Sequence, residues 1–397
     1  MVRFYPLFSV LARCQSGRAS PVRGGRGDVA LPSSGTPEYA RSTRRSPVII
    51  DCHGHFTSEP AGFRAHRAAQ VAFAEGRGDA PAPVAGIPDA DLHTAVETNQ
   101  LRLQQERGTD VTLLSPRASA MGHHVPGQDV ADAWARLSND TIGRIVDMFP
   151  RNFAGVCQLP QTVDGDLGPA VAELERCVDA GFVGCNVNPD PSGGAWTAPP
   201  LTDRWWDPLW SALERARVPA MIHVSGSTRP GVHTTGAHYL AGDTIAFMQL
   251  LDGDLFDRHP GLRLIIPHGG GAAPYHWGRY RGLAIMLGTP SRVDQLRDNV
   301  FFDTCVYHQA GIDLLLDVVG PENVLFGSEL LGAVKTDDPR TGHPFDDTKR
   351  YIDAAGLDDD ARQQVFERNA RRVYPLLDAR LQDQERAVAP ARRGAQT

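Results

Sequence analysis

Short apolar runs recur eight times along the chain, at 48–55, 110–116, 153–159, 182–189, 220–225, 262–269, 300–307 and 323–329. Each is followed by a stretch suited to an amphipathic helix. Between the runs the helical stretches include 91–107, 129–148, 169–180, 205–216, 243–252, 273–286 and 312–319. Strands alternating with helices imply parallel βα units. Eight such units predict an α/β fold of the closed (β/α)8 TIM type, with an open doubly wound sheet as the alternative. Two connections are unusually long, 56–90 after strand 1 and 330–346 after strand 8. Long irregular loops in a compact domain are commonly functional, and these two are read as lids or pocket walls.

Composition changes the picture mainly at the ends. With 41% hydrophobic and 22% charged residues, the body is ordinary core-forming protein. Residues 1–47 are Arg-, Ser-, Gly- and Pro-rich and carry a net +6, which leaves −13 on the rest of a chain whose total is −7. The expected organisation is a disordered extension over 1–47, a barrel over 48–378 and a flexible tail over 379–397. An Arg-rich transit-type leader competes for the first segment. So acidic a body does not attract nucleic acid through its overall field. No apolar stretch approaches the roughly 20 residues that span a bilayer. Four of the six cysteines fall in predicted strands, with no closely spaced pairs, so reduced core thiols and a cytoplasmic compartment are expected.

The candidate chemistry sits at strand ends. His53-Gly54-His55 closes the first apolar run, and residues two apart on a strand share a face. His223 lies on strand 5, His268 ends strand 6 before Gly269-Gly270-Gly271, and Glu329 ends strand 8. Ionisable groups at the ends of apolar strands are costly to bury unless paired or metal-bound. His53, His55, His223 and Glu329 together would hold a zinc ion, or another first-row divalent ion, with room for water or substrate. Taken singly, each His competes with a hydrogen-bonded core histidine, and Glu329 with a carboxylate favoured by a helix N-terminus.

These motifs mark a resemblance. The stretches Ile49 to His55, Ser115 to His124, Gly184 to Gly194, His238 to Gln249, Ile266 to Gly271, Phe326 to Glu329 and Gly342 to Tyr351 resemble the amidohydrolase superfamily. Within it, the likeness is to the branch of decarboxylases and hydratases, and most of all to the 4-oxalomesaconate hydratase family. It covers about residues 48–375. Many superfamily members hold two metals with a strand-4 lysine. Strand 4 here has none, so one metal per subunit is expected. The decarboxylating relatives carry Asp on strand 8, whereas this chain has Glu329, which favours a hydratase. A metal-dependent decarboxylase and a mononuclear amidohydrolase remain as alternatives, and a non-catalytic metal-binding protein is the reading from another class.

The resemblance implies zinc on His53, His55, His223 and Glu329, and a small tricarboxylate substrate. Hydration of a conjugated double bond needs a base for the water and an acid for the developing carbanion. Glu329 is assigned the first task, Tyr239 the second, and His268 the holding of water or the polarising of a ketone. Packing in a helical turn competes for Tyr239, and strand capping for His268. Arg117, Ser119, Asn188, Arg279 and His308 are the candidate substrate contacts, with arginine suited to carboxylates. A solvated helix charge competes for Arg279. Arg102, Arg107 and Lys335 are read as surface residues, and the Trp196, Trp205, Trp206 and Trp210 group as shell packing. A homo-oligomer, with a dimer favoured, completes the expectations.

Overall fold

The computed structural model describes residues 48–82, 87–231, 236–289 and 296–393. The extension expected over 1–47 lies outside them. Eight strands run parallel and pair in chain order. They are β1 (Ile50–Phe56), β2 (Val111–Pro116), β3 (Phe153–Gln158), β4 (Gly184–Val187), β5 (Ala220–Ile222), β6 (Leu264–Ile266), β7 (Val300–Asp303) and β8 (Val324–Leu325). The chain beyond β8 returns to β1. Cys52 N donates to Phe326 O at 2.8 Å, Glu329 N donates to His53 O at 2.8 Å, and Gly54 bridges Leu330 in parallel. The sheet therefore closes into a (β/α)8 barrel.

Strand periodicity sorts the core into two layers. Ile50, Cys52, Val111, Leu113, Ala154, Val156, Met221, Ile265, Phe301 and Leu325 form one buried cluster. The alternate positions, among them Leu114, Phe153, Cys157, Ile222, Ile266 and Phe302, pack into a second cluster with the surrounding helices. The first cluster is sealed by Val373, Leu377 and Leu381 from the last two helices, Asn369–Val373 and Pro375–Arg393, and by Tyr374 between them. The boundary expected at residue 378 falls inside this packing. Arg380 donates to Pro150 O at 2.7 Å and to Phe153 O at 3.0 Å, and Gln384 to Pro150 O at 2.9 Å.

The long loops carry structure of their own. The first contains the helix Ala61–Ala74, which the sequence pattern did not announce, and the second a small hairpin of Asp337–Asp338 with His343–Pro344. Trp206 and Trp210 stack at 5.3 Å, both fully buried, with their indole nitrogens on Pro199 O and Leu201 O. That is the shell packing expected of them. Among the described residues, five cysteines are free and buried. No helix of these residues is long and apolar enough to cross a membrane.

Candidate metal centre

Regular alternation that points Ile50 and Cys52 into the barrel would point His53 and His55 out of it. A β-bulge resolves the conflict. Asp51 pairs with Thr112 and Gly54 with Leu114, so Cys52 and His53 together oppose Leu113 alone. The extra residue resets the alternation, and both imidazoles turn inward. His53 N donates to Asp51 Oδ1 at 3.0 Å, which fixes the kink. Glycine is required between the histidines, because a Cβ at residue 54 would stand 2.4 Å from Thr112 Cγ2 and 3.1 Å from Leu113 O.

Three imidazoles converge through their Nε2 atoms. His53 Nε2 lies 3.0 Å from His55 Nε2, which lies 3.3 Å from His223 Nε2. Each ring is held from behind through Nδ1. His53 meets Asp303 Oδ2 at 2.6 Å, His55 meets Ser115 Oγ at 2.7 Å, and His223 meets the Val224 carbonyl at 2.7 Å. A carboxylate and a carbonyl only accept, so the proton sits on Nδ1 of His53 and His223, leaving their Nε2 lone pairs aimed at a common point. Glu329 completes the set. Single ligand atoms of His53, His55, His223 and Glu329 all lie within 4.8 Å of one another, and all four residues are buried. Uncompensated lone pairs packed this closely repel, and a bound cation removes the conflict. The donor set of three nitrogens and one carboxylate oxygen suits a divalent first-row metal. A further grouping of His53 with Asp303 and Cys305 uses the outer nitrogen of the same ring, which the Asp303 bond already occupies.

Electrostatics separates the histidines by role. Burial, with His53 beside it, holds the His55 imidazole down at about 3, and burial with His55 holds His223 well below its ordinary value. Both stay neutral, as a ligand must be. His268 goes the other way. Burial opposes its charge, but the Asp243 carboxylate 2.8 Å from Nδ1, with Glu329, raises it well above the usual imidazole range. Its Nε2 is buried, with no hydrogen-bond partner among the described residues, and lies 3.8 Å from Glu329 Oε2. Glu329 is also buried against its charge, and His268 holds its carboxyl below the usual range. The Tyr307 hydroxyl donates to Glu329 Oε2 at 2.8 Å.

Tyr239 closes one side of this group, stacked on His268 at 5.7 Å and edge-on to His223 at 5.0 Å. Burial, then Glu329, pushes its phenol above the ordinary value, while a hydrogen bond with Ser119 pulls the other way. A cavity opens over the cluster, lined by His55, Arg117, Ser119, Tyr239, Glu329 and Lys335, among others.

The family model for amidohydrolases matches residues 50–376. The chain belongs to the amidohydrolase family. It is 58% identical over 335 residues to 2-keto-4-carboxy-3-hexenedioate hydratase of Sphingobium sp. (strain NBRC 103272 / SYK-6), covering 84% of this chain and 98% of that one. The crystal structure of 4-oxalomesaconate hydratase from Rhodopseudomonas palustris superposes with a TM-score of 0.78 at 47% identity, over 85% of this chain and 99% of that one. Gamma-resorcylate decarboxylase of Rhodococcus jostii (strain RHA1) is more distant, 29% identical over 71% of this chain and 88% of its own. This amidohydrolase thus belongs to the branch of hydratases and decarboxylases expected from its motifs, and it is an enzyme of the hydratase kind.

The other residues singled out in the sequence divide cleanly. Arg117 and Ser119 line the amidohydrolase cavity, but Asn188, Arg279 and His308 do not. Asn188 is buried and spent on structure, donating toward His123 Nδ1 at 2.9 Å and Ser225 Oγ at 3.2 Å. Arg279 is exposed on the helix Trp277–Met286. His308 caps the helix Gln309–Val319 by accepting from Gly311 N at 2.9 Å. Arg102 pairs with Glu106 on the surface, as expected. Lys335 is exposed, as expected, and it also lines the cavity. Sequence reasoning also passed over Asp303, Asp243, Ser115 and Tyr307. Asp303, Ser115 and Tyr307 were detectable as residues with polar groups inside or ending apolar runs, whereas Asp243 carries no such mark.

Proposed function

We propose that this amidohydrolase is a zinc-dependent hydratase that adds water to the double bond of 4-oxalomesaconate, giving 4-carboxy-4-hydroxy-2-oxoadipate. The observation that carries the reading is the convergence of three bare Nε2 atoms with Glu329, in a chain 58% identical to a hydratase of this kind. A divalent ion on His53, His55, His223 and Glu329 would supply a Lewis acid that lowers the pKa of bound water toward about 7. Glu329 is positioned to take a proton from the attacking water. His268, fixed by Asp243, presents Nε2 to the same space and stabilises negative charge developing on the substrate. Tyr239 supplies the proton that completes addition, its hydroxyl oriented by Ser119. Arg117 answers a substrate carboxylate.

The five buried thiols support a reducing, cytoplasmic setting. Leu283, Ile285, Met286 and Leu287 are exposed together at the end of one helix, which supports self-association as a dimer. The decisive experiment offers 4-oxalomesaconate to purified, metal-quantified enzyme, following the loss of enone absorbance and the release of carbon dioxide. Absorbance loss without carbon dioxide is expected. Carbon dioxide in step with the loss would move the protein to the decarboxylases, and an unchanged spectrum would end the proposal.

A further inference from the structure

The connection after β8 brings an unassigned cation to the mouth of the cavity. Lys335 shares the cavity wall with Thr57, Arg117, Ser119, Tyr239 and Glu329. The backbone around it is stitched in place. Leu331 N donates to Asp346 Oδ2 at 3.0 Å, Phe345 N donates to Thr336 O at 3.2 Å, and Arg107 Nη2 pairs with Asp346 Oδ1 at 3.0 Å. Lys335 therefore projects from an anchored hairpin, not from a free loop.

Arg117 is anchored as firmly. Its Nη2 lies 2.6 Å from Glu59 Oε2 and donates to Thr57 O at 3.0 Å. Its Nε is buried and has no hydrogen-bond partner among the described residues. Burial and the Arg117 charge push the Lys335 amine below its ordinary value, against the pull of Glu59 and Asp346. Two cations that disfavour each other thus line one cavity, one of them with an unused buried donor. Glu59 and Asp346 offset part of this repulsion from the protein side, and an anion in the cavity would offset more of it.

We propose that Lys335 and Arg117 jointly grip one carboxylate of the substrate, so that Lys335 selects tricarboxylates over dicarboxylates. The identity of the natural substrate rests on the hydratase reading, but the grip itself is testable without turnover. The probes are propane-1,2,3-tricarboxylate and glutarate, titrated calorimetrically into metal-loaded wild type, Lys335→Met and Lys335→Arg. Wild type should bind the tricarboxylate more tightly than glutarate. Lys335→Met should lose about tenfold for the tricarboxylate, the scale of one charge-assisted bond, and Lys335→Arg should recover most of it. Metal content should not change. In turnover, Lys335→Met should raise KM about tenfold while kcat stays within about twofold, since uniform binding is what it removes. A Lys335→Met protein that binds the tricarboxylate as wild type does overturns the proposal, as does a wild type with no preference between the probes. Weakened tricarboxylate binding in Lys335→Met, beside a wild type that binds the tricarboxylate but hydrates nothing, would sink the hydratase reading and leave the grip standing. Normal hydration with an indifferent Lys335→Met would do the reverse.

Discussion

Replacing Asp303 by asparagine should weaken metal binding at the centre without unfolding the barrel. The Asp303 side chain is fully buried at the end of β7. Its Oδ1 accepts from Gly269 N and Cys305 N, each at 3.0 Å, and its Oδ2 faces His53 Nδ1 at 2.6 Å. Asparagine preserves the volume but offers one acceptor instead of two. If the amide oxygen stays on the two backbone N–H groups, its NH2 meets the His53 Nδ1–H, donor against donor. The imidazole escapes by moving its proton to Nε2, which removes the lone pair aimed at the metal position. If the amide turns round, two buried N–H groups lose their acceptor, at about 1–3 kcal/mol each. Either route forfeits at least one bond to a charged group, worth about 1.5–3 kcal/mol. That corresponds to a roughly ten- to hundredfold loss of metal affinity, the usual range for a partner behind a histidine ligand. Zinc competition against a chromophoric chelator measures it, with circular dichroism confirming the fold. An Asp303→Asn protein that holds zinc within about twofold of wild type would refute the argument that the buried carboxylate sets the His53 tautomer.

Other outcomes follow from the same contacts. Tyr239→Phe keeps the rings against His223 and His268 but removes the hydroxyl, so turnover should fall by about 10²–10⁴ with metal content intact; unchanged turnover would remove Tyr239 from proton transfer. Gly54→Ala places a methyl 2.4 Å from Thr112 Cγ2, and overpacking of this kind costs about 1–3 kcal/mol. Adding Thr112→Ser, which deletes that methyl, should recover part of the lost melting temperature in calorimetry. Burial holds His123 neutral, with its imidazole at about 4 against 6.5 when exposed. Below pH 6.5 the unfolded chain therefore binds a proton that the native state refuses, and stability should fall as the pH drops from 6.5 toward 4. The full effect is about 3 kcal/mol. Urea denaturation across that window should show a steeper loss for wild type than for His123→Gln, and equal slopes would discount His123.

The barrel was legible because each strand lies in a mainly apolar run, and its order followed from strand–helix alternation. The four candidate ligands stood out for the opposite reason, as polar residues at the ends of such runs, and the structure brings them together. Reach was not legible. Arg117, closing strand 2, and Arg279, in the helix after strand 6, both read as carboxylate-binding arginines, but of the two only Arg117 lines the cavity, where Glu59 and Thr57 hold it. Lys335 reads as a loop charge in the sequence, and only the structure shows that it lines the cavity. The helix Ala61–Ala74 begins after Pro60 without a side-chain cap, and its first turn lacks an acidic residue, so the usual start signals are missing. Its burial of Phe63 and Arg67 shows that tertiary packing, not local preference, sustains it.

The bulge at Cys52–His53 and the strained backbone at Glu329 are two parts of one arrangement. Glu329 has φ 51°, and His268 and Tyr307 nearby have φ 52° and 67°. Left-handed backbone costs a non-glycine residue roughly 1–2 kcal/mol, and such strain persists only where neighbours hold it. Here the neighbours can be named. Glu329 N is bound to the carbonyl of His53, Gly332 N returns to Glu329 O at 2.7 Å, and the Tyr307 carbonyl is held by Tyr351 Oη at 3.1 Å. The first of these bonds also closes the barrel between β8 and β1. The fourth ligand is therefore aimed by the same contact that completes the fold, and a chain that fails to close there would lose the carboxylate from the three histidines. Metal affinity and barrel closure should accordingly rise and fall together across variants of this seam, whereas variants of the sealed opposite end should change stability with little effect on affinity.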